Sequence, residues 1–289
     1  MPTQMFAKAA PVDIVIAPSV EEFAERYVRN EQPVIVRNAV RDWPPSHKWT
    51  PEYLKAMYGT RGLKIGVSPN GVYRDYVDRL NIGVDPEMEF AKVIDGIFTP
   101  SNPEQKFRVH QEALRKWRAL DEDSPPIPYV LGTVIAKNIW MGSTGNVTKA
   151  HYDTENNINI QLRGRKEIIL FPSTQLDELY PRSAWEYQSN FSRVDLAAPD
   201  LSRYPLFARA TPLRAVLEPG DFLYIPIYWW HQFHTLEASL NVNFWWQATA
   251  RQALRRHGVR FWPRMARDLY LPRHIARTVI DSIKSRFAR

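Results

Sequence analysis

The stretch HYDTENN, residues 151–157, places polar side chains at the start of the apolar run INIQL. Residues two apart in a β-strand point to the same face, so a strand through this stretch carries its odd-numbered residues on one face. A purely structural buried strand would carry apolar side chains on both faces. The odd-numbered face is polar instead, which predicts a chemical site. That face consists of His151, Asp153, Glu155, Asn157, Asn159 and Gln161.

A histidine and an aspartate on one strand face are suited to binding a metal. The imidazole and the carboxylate can occupy neighbouring coordination positions, and a distant second histidine completes a two-histidine, one-carboxylate set. Such a set suits Fe(II) and leaves positions open for a chelating co-substrate and dioxygen. The competing interpretation is a histidine that is only hydrogen-bonded in the core. The second histidine is sought at His231 or His234, which follow Pro219-Gly220-Asp221 and an apolar strand.

A second polar face occurs in SLNVNFWWQ, where polar and apolar residues again alternate. Two such strands can line a wet pocket inside a barrel. Lys166 lies one predicted hairpin beyond the His-x-Asp pair, where its ammonium would face the same pocket. A metal with open positions beside a buried cation favours an acidic co-substrate. The second polar face consists of Asn241, Asn243, Trp245 and Gln247.

The order of predicted elements favours a mainly β fold with flanking helices. Helices are predicted at 19–29 and 50–59, each opened by a capping hydroxyl residue. From residue 130 onward, short strands alternate with glycine and proline turns, which is typical of a barrel or sandwich. Residues 101–128 are interpreted as connecting structure and residues 174–210 as a polar loop. The predicted organisation is an N-terminal α/β flank (1–128), a barrel core (129–250) and a basic C-terminal helical segment (251–289).

Composition excludes several classes of protein. The chain has 289 residues and no cysteine, which rules out disulfides and thiolate chemistry. No apolar run approaches the roughly 20 residues of a membrane-spanning helix. The first residues lack the apolar segment of a secretory signal, so a cytoplasmic protein is expected. Residues 251–289 carry eleven Arg or Lys against two Asp, a charge of +9, whereas the other 250 residues sum to −2.

Four blocks in this order resemble the JmjC/cupin-like family of Fe(II)- and 2-oxoglutarate-dependent oxygenases. The resemblance extends over about 135–247 and implies a double-stranded β-helix, the jelly-roll barrel of that family. Within the family, the asparaginyl hydroxylases are the most similar group. The blocks are GNVTKAHYD (145–153), RGRKEIILFP (163–172), PGDFLYIPIYWWH (219–231) and NVNFWW (241–246).

The resemblance also implies roles for particular residues. His151, Asp153 and His231 would bind Fe(II). Lys166 would pair with the distal carboxylate of 2-oxoglutarate, and Thr148 would donate a hydrogen bond to it. The residues implied to line the same pocket are Asn157, Asn243 and Trp245. The implied activity is hydroxylation of a substrate, with release of succinate and carbon dioxide.

Two departures from the asparaginyl hydroxylases bear on the substrate. Where that group grips its target with an Arg-Gln pair, this chain has Asn190 and Phe191. The family's co-substrate tyrosine has no clear counterpart, because the corresponding region reads FRVHQEAL. A protein or peptide substrate is expected, with a small molecule or RNA as alternatives, and no membrane partner. A non-catalytic cupin-like binding protein is the competing class.

The C-terminal segment is predicted to form two helices, at about 251–261 and 272–287. In the second, Ile275, Val279, Ile280 and Ile283 form an apolar stripe beside basic residues. The stripe can pack on the barrel of its own chain, or on a second copy, as in the dimeric asparaginyl hydroxylases. The basic face could instead meet an acidic partner such as RNA. The expected assembly is a homodimer through these helices.

Overall fold

The computed structural model describes residues 6, 9–73, 87–183, 186, 188–249 and 252. The predicted C-terminal helices, their apolar stripe and the dimer built on them fall on 251–289 and so lie outside the described residues, apart from Gln252. Among the described residues, no helix is long and apolar enough to cross a membrane.

Fifteen strands are described. They are β1 Ala10–Pro11, β2 Asp13–Ile16, β3 Val34–Arg37, β4 Gly62–Lys64, β5 Gly66–Ser68, β6 Glu87–Glu89, β7 Lys106–Ala113, β8 Val134–Gly142, β9 Val147–Tyr152, β10 Asn156–Arg163, β11 Lys166–Phe171, β12 Leu213–Leu217, β13 Phe222–Ile225, β14 Trp230–Thr235 and β15 Ser239–Trp246.

The described helices are short and lie mostly before the barrel. They are α1 Val20–Phe23, which continues as a π-helical turn over Ala24–Val28, α2 Pro44–Lys48, α3 Pro51–Tyr58, α4 Phe90–Phe98 and α5 Arg118–Asp123. Single 3₁₀ turns occur at Leu114–Lys116 and Pro205–Arg209. The capping prediction is confirmed, because the hydroxyls of Ser19 and Thr50 accept from the backbone N–H three residues on, at 3.0 and 3.1 Å.

The strands form a double-stranded β-helix, as the family resemblance implied. A five-stranded sheet has the order β1-β12-β11-β14-β9, and an eight-stranded sheet has the order β2-β3-β13-β10-β15-β8-β7-β5. Passing along the chain from β8 to β15, successive strands move repeatedly between the two sheets. Four strands of each sheet therefore form the jelly-roll, and the two sheets face each other across an inner space.

The interpretation of residues 101–128 as connecting structure was wrong. They contain β7, which pairs with both β5 and β8 at the edge of the eight-stranded sheet, followed by α5. Phe107 and Val109 of β7 are buried in the core, between the more exposed Lys106, Arg108 and His110. The N-terminal strands β2, β3, β5 and β7 thus extend the same sheet as the barrel strands.

Three apolar clusters hold these layers together. The largest lies between the outer face of the eight-stranded sheet and the helices, where Phe23 of α1 packs against Phe222 and Tyr224, and Trp43 packs against Phe244. A second covers the outer face of the five-stranded sheet beneath the loop 174–210. The third lies between the two sheets, around Ile168 and Leu223. The remainder of the inner space is polar, and it contains the candidate site.

Candidate metal centre and co-substrate pocket

HYDTENN does not form one continuous strand. β9 ends at Tyr152 in the five-stranded sheet, residues 153–155 turn, and β10 begins at Asn156 in the opposite sheet. The turn is fixed because the backbone N–H of Tyr228 donates to the carbonyl of Asp153 at 2.9 Å. The prediction of a single strand was therefore wrong, although the side chains before and after the turn still face each other. Asn157 Nδ2 donates to Asp153 Oδ2 across this turn at 3.4 Å.

His151, Asp153 and His231 converge at this point. Their candidate ligand atoms all lie within 4.8 Å of one another. Nε2 of His151 is 3.8 Å from Asp153 Oδ1, and Nε2 of His231 is 3.7 Å from Asp153 Oδ2. β9 and β14 are adjacent strands in which His151 and His231 are direct cross-strand partners. Sheet pairing therefore holds the two imidazoles side by side, with the carboxylate at the strand end between them.

Hydrogen bonds fix the orientation of both imidazoles. Nδ1 of His151 lies 2.8 Å from the carbonyl oxygen of Lys149, and Nδ1 of His231 lies 3.0 Å from that of Trp229. A carbonyl can only accept, so each Nδ1 carries the hydrogen and each Nε2 presents its lone pair. Histidine ligands of metals are commonly oriented by such a bond from their other nitrogen. The donor set therefore fits a divalent metal such as Fe(II).

Burial also keeps His231 in the form that binds metals. The side chain is 2% exposed. Burial lowers the pKa of His231 to about 4, helped by the neighbouring His151 and opposed by the Asp153 carboxylate. At neutral pH its imidazole is therefore uncharged, which is the state a metal ligand requires.

His234 points away from this centre. It lies three residues beyond His231 on β14, and its cross-strand partner on β11 is Glu167, on the outer face of the five-stranded sheet. Its Nε2 lies 2.7 Å from Nε2 of Gln232. Burial lowers its pKa. Of the two histidines that the sequence left open, the structure brings only His231 to the centre.

The predicted polar faces of β10 and β15 do form one wall of the inner space. The two strands are antiparallel neighbours, with Asn159 opposite Asn243 and Asn157 opposite Trp245. Their buried amides bond to one another rather than to water. Asn243 Nδ2 donates to Asn157 Oδ1 at 3.2 Å, and Asn241 Nδ2 donates to Asn159 Oδ1 at 3.3 Å.

Lys166 enters the inner space from the five-stranded sheet. It begins β11 directly after the crossover turn at Gly164, not after a hairpin as predicted, because β10 and β11 belong to different sheets. Gly164 has a φ of +64°, a conformation that favours glycine. The Lys166 side chain is 9% exposed, and its Nζ donates to Oδ1 of Asn241. Burial lowers its pKa to about 7.

The ammonium of Lys166 has no carboxylate partner among the described residues. A buried charge is costly unless it is paired, so this pocket is suited to an anion. The neighbouring arginines are engaged elsewhere. Arg163 Nε donates to the Trp49 carbonyl at 2.7 Å, and Arg165 forms an exposed ion pair with Glu237 at 2.7 Å.

Thr148 and Trp245 lie on the walls of the same inner space. Thr148 is the cross-strand partner of Phe233, an inward residue two positions from His231. Nε1 of Trp245 is buried and has no hydrogen-bond partner among the described residues. An unpaired buried N–H is rare in folded proteins, so a bound acceptor is expected beside it.

Tyr73 is a candidate that the sequence reasoning missed. Its hydroxyl donates to Asn146 Oδ1 at 2.9 Å, and the carbonyl of Asn146 accepts from Thr235, the cross-strand partner of Lys166. Burial raises its pKa, so the phenol stays protonated. The guanidinium of Arg108, from the FRVHQEAL segment, lies 3.9 Å from the centroid of its ring. The dipeptide Val72-Tyr73 carries no local signal that would have singled it out.

Asn190 and Phe191 lie at the rim of the centre. Residues 190–192 bond along the edge of β9, and the Asn190 side chain donates to the carbonyl of Tyr152 at 2.8 Å. The Phe191 ring stacks on the imidazole of His151, with centroids 4.9 Å apart and planes 14° apart. The amide of Asn190 is thus already bonded to backbone, and Phe191 presents an apolar surface beside the centre.

A jelly-roll with a two-histidine, one-carboxylate centre and a buried cation defines the class of cupin-like metal oxygenases. Comparison with known proteins agrees with that class. The profile of the cupin-like domain matches residues 20–252. The chain belongs to this family, whose JmjC members are Fe(II)- and 2-oxoglutarate-dependent oxygenases.

Individual relatives are similar over most of this chain. Jumonji C domain-containing protein 5 of Drosophila melanogaster is 33% identical over 242 residues, covering 80% of this chain and 58% of the relative. Lysine-specific demethylase JMJ30 of Arabidopsis thaliana is 33% identical over 241 residues, covering 81% and 54% respectively. This chain thus spans little more than half the length of these two relatives.

A human relative is matched over most of its own length. The bifunctional peptidase and (3S)-lysyl hydroxylase JMJD7 is 27% identical over 258 residues, covering 79% of this chain and 81% of the relative. Two of these three relatives have lysine in their names, and none has asparagine. The finer likeness to the asparaginyl hydroxylases therefore stays a prediction.

Proposed function

We propose that this protein is an Fe(II)- and 2-oxoglutarate-dependent oxygenase that hydroxylates a protein side chain. The observation that carries the proposal is the pairing of two features in one inner space. One is the three-ligand centre of His151, Asp153 and His231. The other is the buried ammonium of Lys166, which lacks a carboxylate partner among the described residues. A metal site alone would fit many functions, whereas the added cation selects an acidic co-substrate.

The two features are separated by a distance suited to 2-oxoglutarate. On β14, His231 and Thr235 are four residues apart, and Thr235 is the cross-strand partner of Lys166. Four residues of strand span about 13 Å. The lysine side chain and a five-carbon dicarboxylate can bridge this length together. Thr148 adds a hydroxyl, and Trp245 adds an N–H with no hydrogen-bond partner among the described residues, on the walls of the same inner space.

Each residue of the candidate site has a defined role in this proposal. His151, Asp153 and His231 hold Fe(II), which with 2-oxoglutarate and dioxygen supplies the oxidising chemistry and yields succinate and carbon dioxide. Lys166 pairs with the distal carboxylate and thereby orients the co-substrate. Asn157 donates to the Asp153 carboxylate and holds its orientation. The buried barrel walls exclude bulk water from the reacting groups.

Lysine is the first candidate for the target side chain. Of the two described residues at the positions of the family's Arg-Gln pair, Asn190 has its NH₂ group bonded to backbone and Phe191 has no polar side-chain group to grip a target amide. Phe191 offers a flat apolar surface against which the methylene stem of a lysine can pack. The relatives that act on lysine by name support the same choice. Hydroxylation of a methylene carbon of lysine leaves a stable alcohol, whereas hydroxylation of an N-methyl group gives a hemiaminal that releases formaldehyde. The product therefore distinguishes a hydroxylase from a demethylase.

The test is a turnover assay on the full chain with Fe(II), 2-oxoglutarate and peptide libraries that contain lysine or methyl-lysine. Succinate formation is measured, and peptide products are examined by mass spectrometry. A gain of one oxygen indicates hydroxylation, and loss of a methyl group with formaldehyde indicates demethylation. His231→Ala serves as the inactive variant and His234→Ala as the matched control. Metal binding without succinate formation under any condition would instead support a binding protein.

A further inference from the structure

Four side chains form a line of hydrogen bonds from β8 to the metal centre, in the order Trp140, Asn243, Asn157 and Asp153, and Asn138 joins it as a branch at Asn243. The indole Nε1 of Trp140 donates to Asn243 Oδ1 at 2.8 Å, and Asn138 Nδ2 donates to the same oxygen at 3.2 Å. Asn243 Nδ2 then donates to Asn157 Oδ1 at 3.2 Å. Asn157 Nδ2 ends the line by donating to Asp153 Oδ2 at 3.4 Å. The three asparagines are almost fully buried, so water does not substitute for these bonds.

The direction of this line matters, because each asparagine can present either its oxygen or its NH₂ group to a neighbour. With Asn157 reversed, its amide oxygen would face the Asp153 carboxylate and repel it. At the metal end, the Asp153 carboxylate can only accept and so favours the direction in which Asn157 presents its NH₂ group. Asn138 could rotate along with Asn243 and therefore does not fix the direction at the other end.

Trp140 fixes the same direction at the end of the line away from the metal. An indole N–H can donate but never accept, so the group facing it must be the oxygen of Asn243. That choice directs Asn243 Nδ2 to Asn157 and, in turn, Asn157 Nδ2 to Asp153. We infer that Trp140 is a positioning residue for the metal centre, which acts through Asn243 and Asn157 to supply the Asp153 carboxylate with a hydrogen-bond donor. This inference rests on the proposed metal centre.

The consequence concerns metal affinity. Groups that hydrogen-bond to a metal ligand orient it, and their loss commonly costs about 10–100-fold in affinity. Asn243 and Asn157 lie between Trp140 and the metal ligand Asp153. Trp140→Phe is therefore expected to weaken metal binding about tenfold, at the lower end of that range. Phenylalanine keeps an aromatic ring against His110, which packs edge-on at 4.8 Å, and removes the N–H.

The experiment is a titration of the metal-free full chain with Co(II), followed by the visible absorption of the bound ion. The variants are Trp140→Phe, Asn157→Ala and the two combined. The matched control is Trp43→Phe, which also removes a buried indole N–H. That N–H donates to the Pro125 carbonyl at 3.0 Å, and Trp43 packs on Phe244 at the outer face of the sheet. Thermal unfolding of each variant separates loss of stability from loss of metal affinity.

The expected result is weaker Co(II) binding in Trp140→Phe, unchanged binding in Trp43→Phe, and a double variant no weaker than Asn157→Ala alone. The last point follows because the line is already cut at Asn157. Unchanged affinity in Trp140→Phe, additive losses in the double variant, or an equal loss in Trp43→Phe would overturn the inference. Failure of the unsubstituted chain to bind Co(II) would overturn the metal centre itself, which is a distinguishable result.

Discussion

The two faces of β10 and β15 are equally buried but chemically opposite. The outer face packs on the helices through Ile158, Ile160, Val242 and Phe244, all fully buried. The inner face carries Asn157, Asn159, Asn241 and Asn243, which are at most 6% exposed. The same two strands therefore bury a mainly apolar surface on one side and a surface dominated by amides on the other.

The outer face therefore mainly stabilises the fold, and the inner face mainly serves the site. Apolar burial contributes roughly 25 cal/mol per Å², whereas buried amides at best recover the cost of losing water. The inner amides are retained because they bond to one another, to Asp153 and to Lys166. We expect substitutions on the outer face to affect stability and substitutions on the inner face to affect ligand binding.

The largest expected effect is on the metal ligands, where the inner face ends. Asp153→Ala and His231→Ala are each expected to abolish succinate formation, because a three-ligand centre that loses one ligand holds Fe(II) poorly. His234→Ala, on the outer face of the same strand, is the control and should keep most activity. Loss of turnover in His234→Ala with retention in His231→Ala would show that the ligands are wrongly assigned.

Lys166→Ala should have the next largest effect. Removing one partner of a buried charge pair leaves the other unpaired, at a cost of about 3–5 kcal/mol. The KM for 2-oxoglutarate is therefore expected to rise by about two to three and a half orders of magnitude, at about 1.4 kcal/mol per tenfold, with metal affinity nearly unchanged. Arg165→Ala is the control, since that side chain is exposed and paired with Glu237. Steady-state kinetics with varied 2-oxoglutarate decide, and an unchanged KM in Lys166→Ala would refute its role as anchor.

Ile160→Ala and Asn159→Leu, at adjacent positions of β10, sharpen the comparison of the two faces. Ile160→Ala should lower the free energy of unfolding by about 2–5 kcal/mol and leave the KM for 2-oxoglutarate unchanged. Asn159→Leu should cost less stability, about 1–3 kcal/mol. It should raise the KM, because Asn241 loses its acceptor and no longer holds Lys166 in place. Denaturant unfolding and kinetics on both variants test this, and the same pattern of effects in both would contradict it.

The pH dependence of co-substrate binding should give the smallest of these effects. Only the ammonium form of Lys166 attracts a carboxylate, and its pKa in the unliganded protein is about 7. Affinity should therefore be full below pH 7 and weaken as pH rises above it, by at most about tenfold per pH unit. Titrations of 2-oxoglutarate into the metal-loaded protein measure this. Lys166→Met should remove the dependence, and an identical profile in that variant would assign it to another group.

The same pKa shift has an opposite consequence for stability. The pKa of Lys166 in the folded chain lies below the ordinary lysine value of 10.5. Between those two values the unfolded chain binds the additional proton, so the unliganded protein gains stability as pH rises from about 7 toward about 10.5. Ligand binding and fold stability thus respond to pH in opposite directions through one side chain.

The sequence predicted the centre because the odd-numbered spacing of the polar residues continues through the turn that separates β9 from β10. His151, Asp153 and Asn157 keep their odd-numbered spacing across the turn at 153–155, so they face one another although they lie in two sheets. The number of sheets was not predictable, because period-two patterns do not show where a strand ends. The segment FRVHQEAL offered no clear counterpart of the family's co-substrate tyrosine, and Tyr73 was not considered. Contacts between distant segments bring Tyr73 to Asn146, and no local pattern encodes them.

Short or charged segments were the least predictable. β7 was missed because Lys106, Arg108 and His110 make a strand that is paired on both sides resemble a polar connection. The helices over 19–29 and 50–59 were recognised because their caps and first turns are encoded locally. The residues alone left His231 and His234 open, and the family resemblance selected His231. The register of β14 with β9 places that residue opposite His151.

The most direct test of the proposed oxygenase centre is an anaerobic titration of the metal-free chain with Fe(II) and then 2-oxoglutarate. Chelation of Fe(II) by the co-substrate produces a charge-transfer band in the visible spectrum. We predict that the band forms in the unsubstituted chain, is absent in Asp153→Ala, and needs far more 2-oxoglutarate in Lys166→Ala. A chain that binds Fe(II) but never develops the band, or one whose band is unaffected by both substitutions, would contradict the account.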